Sequence, residues 1–190
     1  MTHRLKLLCH ASTDAIRAAA FPADEPLDAQ GRRRIAALAG RFGQSGQCWT
    51  SPAQGARQTA QALGLEAVVE PMLRECNHGR WSGRSFEDVA AQEPDAIQHW
   101  LRDPEAAPHG GESIAALMQR VAAWLDVQIG RDGHSIAVVH ASVIRAAIIH
   151  AIGAPPGSFW RIDVAPLSVA KFSGRGGRWQ LAAMGPMAVK

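Results

Sequence analysis

Ser135-Ile136-Ala137-Val138-Val139-His140-Ala141-Ser142-Val143-Ile144-Arg145 decides the fold class. Its first half shows no alternation of polar and apolar side chains. That is the pattern of a strand covered on both faces, as in a parallel sheet flanked by helices. The run from Val143 to Ile152 is almost wholly apolar, so the helix it predicts is buried as well. Working outward, Leu5 to Cys9, Gln47 to Thr50 and Ala67 to Val69 read as further short strands. Asp28 is a natural N-cap for a helix reaching about Phe42, with Ile35, Leu38 and Phe42 on one face. Ser51-Pro52 opens a helix that stops at Leu63-Gly64. Ile114, Leu117, Met118, Val121, Leu125 and Ile129 recur at helical spacing. Residues 71–110 are irregular apart from a helix predicted from Ser85 to about Trp100. Val169 to Phe172 and Trp179 to Ala183 form a hairpin around Gly174–Gly177. Strands alternating with helices predict one α/β domain over residues 1–190. It is a three-layer α/β/α sandwich with a mostly parallel central sheet.

The composition narrows the function classes. Of 190 residues, 47% are hydrophobic and 19% charged, a globular balance able to build a core without disulfides. Cys9, Cys48 and Cys76 are odd in number and form no CxxC pair, which fits a reducing cytoplasm. The apolar run near Met1 is too short for a signal peptide, and no run is long enough to span a bilayer. A net charge of +3 and a pI of about 9.1 are mildly basic and compatible with a small phosphorylated or otherwise anionic ligand, but the excess is small and spread along the chain. They do not support nucleic acid, because basic and aromatic residues are not interleaved. Arg32-Arg33-Arg34 reads as a solvated helix face. No membrane partner is expected, and a homodimer is compatible with this reading.

In such sheets ligands bind beyond the carboxyl ends of parallel strands, where His10, Ser51 and His140 all fall. Several segments recur in one order: Leu7-Leu8-Cys9-His10-Ala11-Ser12-Thr13, Asp24-Glu25-Pro26-Leu27 with Gly31, and Ser51 to Ala60. They are followed by Leu73-Arg74-Glu75-Cys76-Asn77-His78-Gly79-Arg80-Trp81, Gly110-Gly111-Glu112-Ser113 and Val138 to Arg145. Together they resemble the histidine phosphatase superfamily, in its phosphoglycerate-mutase-like branch. The resemblance implies a nucleophilic histidine at His10, a second histidine at His140 and a carboxylic acid at Glu75 that protonates the leaving oxygen. It implies hydrolysis of a phosphomonoester through phosphohistidine, with no metal and no cofactor. Neutral imidazole is a competent nucleophile near pH 7, and guanidinium groups position phosphoryl oxygens.

Two departures stand out. Cys9 occupies the position of the arginine before the nucleophile, and Gly55 the position of the arginine in the Ser-Pro-x-x-Arg segment. Losing one preorganised donor costs ~10²–10³ in rate, so two would cost roughly 10⁴–10⁶ if additive. An alternative to catalysis is therefore an impaired member that binds an anionic ligand or protein partner in the same pocket. Arg17, Ser51, His78 and Arg80 are the candidates for holding substrate, with Arg17 foremost as a replacement cation and Arg84 beside Trp81 a further one. Ser51 also reads as a helix cap, Glu112 as a structural carboxylate at a helix start, His150 as a core histidine, and His3, His99 and His134 as surface residues. Arg57, two residues along the helix from Gly55, should face away. Cys9, His10, His140 and His78 supply donors suited to a transition metal, but in no spacing typical of zinc sites, so none is expected.

Overall fold

The computed structural model describes residues 2–40 and 46–187. Six strands form one sheet: β1 (His3–Cys9), β2 (Gln47–Thr50), β3 (Val68–Val69), β4 (Gly133–Val139), β5 (Ser168–Arg175) and β6 (Arg178–Pro186), in the order β3-β2-β4-β1-β5-β6. The first four run parallel, and β5 and β6 add antiparallel at one edge. This is the expected mostly parallel sheet.

Side chains alternate between two cores, as the two-residue strand period requires. Leu5, Leu7 and Cys9 of β1 face one core while Leu8 faces the other. On the first face lie α6 (Ile114–Gln128) and α7 (Ala141–Ile152), joined by α4 (Phe86–Gln92) and α5 (Pro94–Arg102). On the second lie α2 (Ala29–Ala36) and α3 (Gln54–Ala62). Among the described residues no helix is long and apolar enough to cross a membrane.

Three boundaries differ from expectation. The single helix expected over Ser85–Trp100 is two, because Glu93 leaves helical geometry at φ −135° and Pro94 starts the next helix. A ring without an N–H suits a first turn and ends the helix before it. The loop after β1 contains a short helix, α1 (Asp14–Arg17), capped by Thr13. The helix capped by Asp28 ends at Ala36, and the expected terminus at Phe42 lies outside the described residues.

Gly31 fixes how α2 meets the His10 loop. A Cβ there would lie 2.3 Å from the Ser12 carbonyl oxygen. Gly31→Ala is expected to cost about 1–3 kcal/mol of stability, although alanine is the better helix former. Urea unfolding checks this, and a neutral or stabilising result would contradict the tight approach.

Candidate active site

The carboxyl ends of β2, β4 and β1, neighbours in the sheet, bring the sequence candidates together. His10 follows β1 and donates its backbone N–H to Val139 O; Ser51 follows β2 and donates to Val138 O. His140 follows β4 and forms the N-cap of α7. The two imidazoles meet edge to face, their centroids 4.9 Å apart.

His10 is well defined chemically. Its Nδ1 lies 2.8 Å from the Ala11 carbonyl oxygen, which can only accept, so Nδ1 carries the proton and Nε2 the lone pair. Burial lowers the His10 pKa, so the ring is neutral at pH 7. Gly55 makes this packing possible: a Cβ there would sit 3.3 Å from both His10 Nδ1 and Thr13 Cγ2.

His140 is hydrogen-bonded at one ring nitrogen and lies near a carboxylate at the other, which is buried without a hydrogen-bond partner. Its Nε2 lies 2.7 Å from Ser51 Oγ and its Nδ1 lies 3.3 Å from Glu75 Oε2. Glu75 also accepts hydrogen bonds from the Ser142 hydroxyl and, at 2.7 Å, from the Cys76 N–H. The Ser51–His140–Glu75 order is the one that activates serine in many hydrolases. Here Ser51 is fully buried and does not line the cavity, so the chain of contacts orients His140 instead. The cap expected of Ser51 is weak: its Oγ reaches the Ala53 N–H at 3.3 Å, and α3 begins later, after Ala53.

Burial works against ionisation of Glu75. The Ser142 and Cys76 hydrogen bonds, together with the His140 and His78 rings once acid protonates them, outweigh it and hold the carboxyl below its ordinary value. At neutral pH Glu75 is therefore a carboxylate, which does not suit the proton-donor role that the resemblance implied. Burial pushes His140 down to about 4, ahead of the opposing effect of Glu75. The unfolded chain takes up a proton there between pH 6.5 and 4 that the folded protein does not. The corresponding stability is complete above pH 6.5 and lost as pH falls towards 4, by up to about 3 kcal/mol. Urea midpoints at pH 7.5 and 4.5 should converge correspondingly in His140→Gln; equal pH slopes in the two proteins would refute the assignment.

A cavity of about 390 Å³ opens over His10 and His140. Its lining is not the cationic cradle expected. Among the described residues its lining includes three acidic residues, Asp24, Glu25 and Glu75, and one arginine, Arg74. Arg74 is itself shared with Glu112, at 3.2 Å. Sequence reading missed it, although it stands in the quoted segment beside Glu75.

The proposed replacement cations lie elsewhere. Arg17 is exposed and reaches Asp14 and Asp28 at 3.8 and 3.9 Å; it does not line the cavity. Arg80 binds Glu93 and the Pro108 carbonyl, and Arg84 binds Glu93 at 2.7 Å. Those two arginines, Arg84 first, hold the Glu93 carboxyl down to about 2. His78 is buried against Phe21, Trp100 and His109 in the wall of a neighbouring hollow. Cys9 is 1% exposed and its thiol is pushed up to about 12 by burial, with Glu75 adding to it, so it is no reactive thiolate. His3 corrects the surface reading: it is buried, 2.6 Å from Ser135 Oγ and edge-on to Trp179. His150 is half-exposed beside Asp126, not a core residue. Glu112 pairs with Arg120 and Arg74, in keeping with a structural role.

Residues 5–186 match the model of the histidine phosphatase superfamily, branch 1. The chain belongs to that superfamily. It is 32% identical over 182 residues to a bifunctional protein of Mycobacterium tuberculosis, covering 89% of this chain and 50% of that one. It is 32% identical over 108 residues to phosphoserine phosphatase 1 of Hydrogenobacter thermophilus, covering 55% and 51%. The chain thus spans about half the length of these curated relatives. A mycobacterial glucosyl-3-phosphoglycerate phosphatase, solved in complex with VO3, superimposes with a TM-score of 0.85. It is 26% identical, with 97% of this chain and 99% of that one covered. The fold, and the phosphatase activity named for the Hydrogenobacter and glucosyl-3-phosphoglycerate relatives, agree with the resemblance read from the sequence.

Proposed function

We propose that the chain is a metal-independent phosphomonoesterase working through His10. The observation that carries this is the state of that ring: neutral, its Nδ1–H fixed on Ala11, its Nε2 left for the cavity. The Nε2 lone pair attacks phosphorus and the bond from phosphorus to the ester oxygen breaks. The leaving oxygen takes a proton from water, since Glu75 holds none to give at neutral pH. Water then attacks the phosphoryl group on His10, loses a proton, and the N–P bond breaks to release inorganic phosphate. Arg74 is the cation at hand for the phosphoryl oxygens, and His140 is a positioning partner fixed by Ser51.

A second reading is that the pocket binds an anionic ligand or protein partner without turnover. The three carboxylates around one shared guanidinium favour it. A unit charge 5 Å from a phosphoryl oxygen contributes about 3 kcal/mol at an effective dielectric near 20, here mostly repulsive. Incubation with p-nitrophenyl phosphate and a set of alkyl phosphomonoesters in EDTA decides between them. Turnover, with a phosphoryl group trapped on His10 by acid quench and mass spectrometry, supports the first. No turnover and no phosphohistidine sinks it.

A further inference from the structure

The His10 cavity adjoins a second hollow of about 470 Å³; Ile16, Pro22, Glu75, Cys76 and Ala141 line both. The second hollow is aromatic. Phe21, Phe86, Trp100, Phe159 and Trp160 contribute to its wall. Trp100 and Trp160 meet at 4.6 Å between centroids. Ile16, Phe86 and Trp160 are 39%, 40% and 38% exposed, so three large apolar side chains are left open to solvent around this hollow.

Besides Glu75 and Ser142, which also face the His140 side of the hollow, two polar features break the apolar lining. Arg145, from α7, gives its Nε–H to the Ile162 carbonyl at 2.7 Å, and its Cζ lies 5.7 and 5.9 Å from the Phe159 and Trp160 rings. Among the described residues no carboxylate comes within ion-pair distance of it; Asp163 and Glu75 act only at longer range. His78 Nδ1 and Trp100 Nε1 are buried in the same wall without hydrogen-bond partners. A half-buried guanidinium stacked on aromatic rings, with no carboxylate of the described residues within ion-pair distance, is suited to a planar anion.

We propose that this hollow is the specificity subsite and takes an aromatic ring bearing a carboxylate, the ring among Trp100, Trp160 and Phe86 and the carboxylate on Arg145. The phosphoryl end of such a ligand reaches His10, and only for that end does the inference rest on the phosphatase reading. Two physical arguments join the subsite to the chemistry. Ring burial and the Arg145 contact supply remote binding energy, which a weak phosphoryl cradle requires. A phenolic oxygen, with a pKa near 10, departs without a general acid, in keeping with a site where Glu75 is ionised.

The test is calorimetric binding of 4-hydroxybenzoate and phenol, with turnover of 4-carboxyphenyl phosphate and glycerol 2-phosphate measured in parallel. 4-Hydroxybenzoate should bind wild type and His10→Ala alike. It should weaken about tenfold in Arg145→Gln and in Trp160→Ala, and recover in part in Arg145→Lys. Phenol should weaken in Trp160→Ala and not in Arg145→Gln. Phe86→Ala, an exposed position, repeats the ring test where folding is not at stake. Absence of 4-hydroxybenzoate binding, or equal binding by wild type and all these variants, overturns the subsite. Binding as expected with no ester turned over sinks the phosphatase reading and leaves the subsite standing. Turnover of glycerol 2-phosphate without 4-hydroxybenzoate binding does the reverse.

Discussion

His10→Ala is expected to take phosphomonoester turnover down to the uncatalysed background, a loss of ~10⁴-fold or more in kcat. The expectation follows from what the side chain alone supplies. Among the described residues, the neighbouring thiol and imidazole of the cavity do not replace it: Cys9 is a buried thiol held near 12, and His140 Nε2 is engaged with Ser51. The substitution leaves the main-chain contact with Val139 in place and removes one hydrogen bond, to Ala11. Circular dichroism and the thermal midpoint should therefore change little. Because burial lowers the His10 pKa, wild-type kcat/KM should stay level through neutral pH and fall only on the acid side, below the ordinary histidine value of 6.5. Activity surviving in a folded His10→Ala protein would mean that the phosphoryl group is transferred directly to water or to another residue.

The parts of this molecule legible in the sequence are those set by local patterns. Apolar runs marked the strands, and Asp28 and the Ile114–Ile129 periodicity marked two of the helices. His10 and His140 followed from strand ends, since a parallel sheet gathers its carboxyl-end loops. The charge of the pocket was not legible, because it depends on partners distant in sequence. Glu93, some ten residues on, draws Arg80 and Arg84 outward. Asp28 draws Arg17 the same way. Arg74 enters the pocket from a position that carries no pattern. His3 shows the same limit on a smaller scale: near a terminus it reads as surface, yet strand pairing sets it beside β4 and Ser135 closes over it. Pro94 is a breaker visible in the sequence itself, and it splits the helix where proline chemistry requires.

The acidic lining leads to a second large effect, in the opposite direction. Cys9→Arg is expected to raise phosphomonoesterase kcat by ~10²–10³. Residue 9 ends β1 next to the nucleophile and borders the cavity, its buried thiol within the electrostatic reach of Glu75. A guanidinium there would offset one of three carboxylates and meet the charge that develops on the phosphoryl oxygens. The larger side chain enters a packed strand end, so a stability loss of about 1–3 kcal/mol should accompany the gain. Gly55→Arg adds the same charge and should not give the same result. Its Cβ would press on His10 Nδ1 and Thr13 Cγ2 at 3.3 Å, so α3 or the nucleophile must shift. A nucleophile displaced from its line of attack loses what the charge contributes. The expected order of kcat is Cys9→Arg above wild type, with Gly55→Arg well below Cys9→Arg and the double variant short of the product of the two single effects. Steady-state kinetics on p-nitrophenyl phosphate, with inorganic phosphate inhibition measured on each protein, reads this directly. A folded Cys9→Arg protein with neither faster turnover nor tighter phosphate binding would mean that no phosphoryl group sits beside residue 9. The pocket would then be one that binds without transferring phosphate.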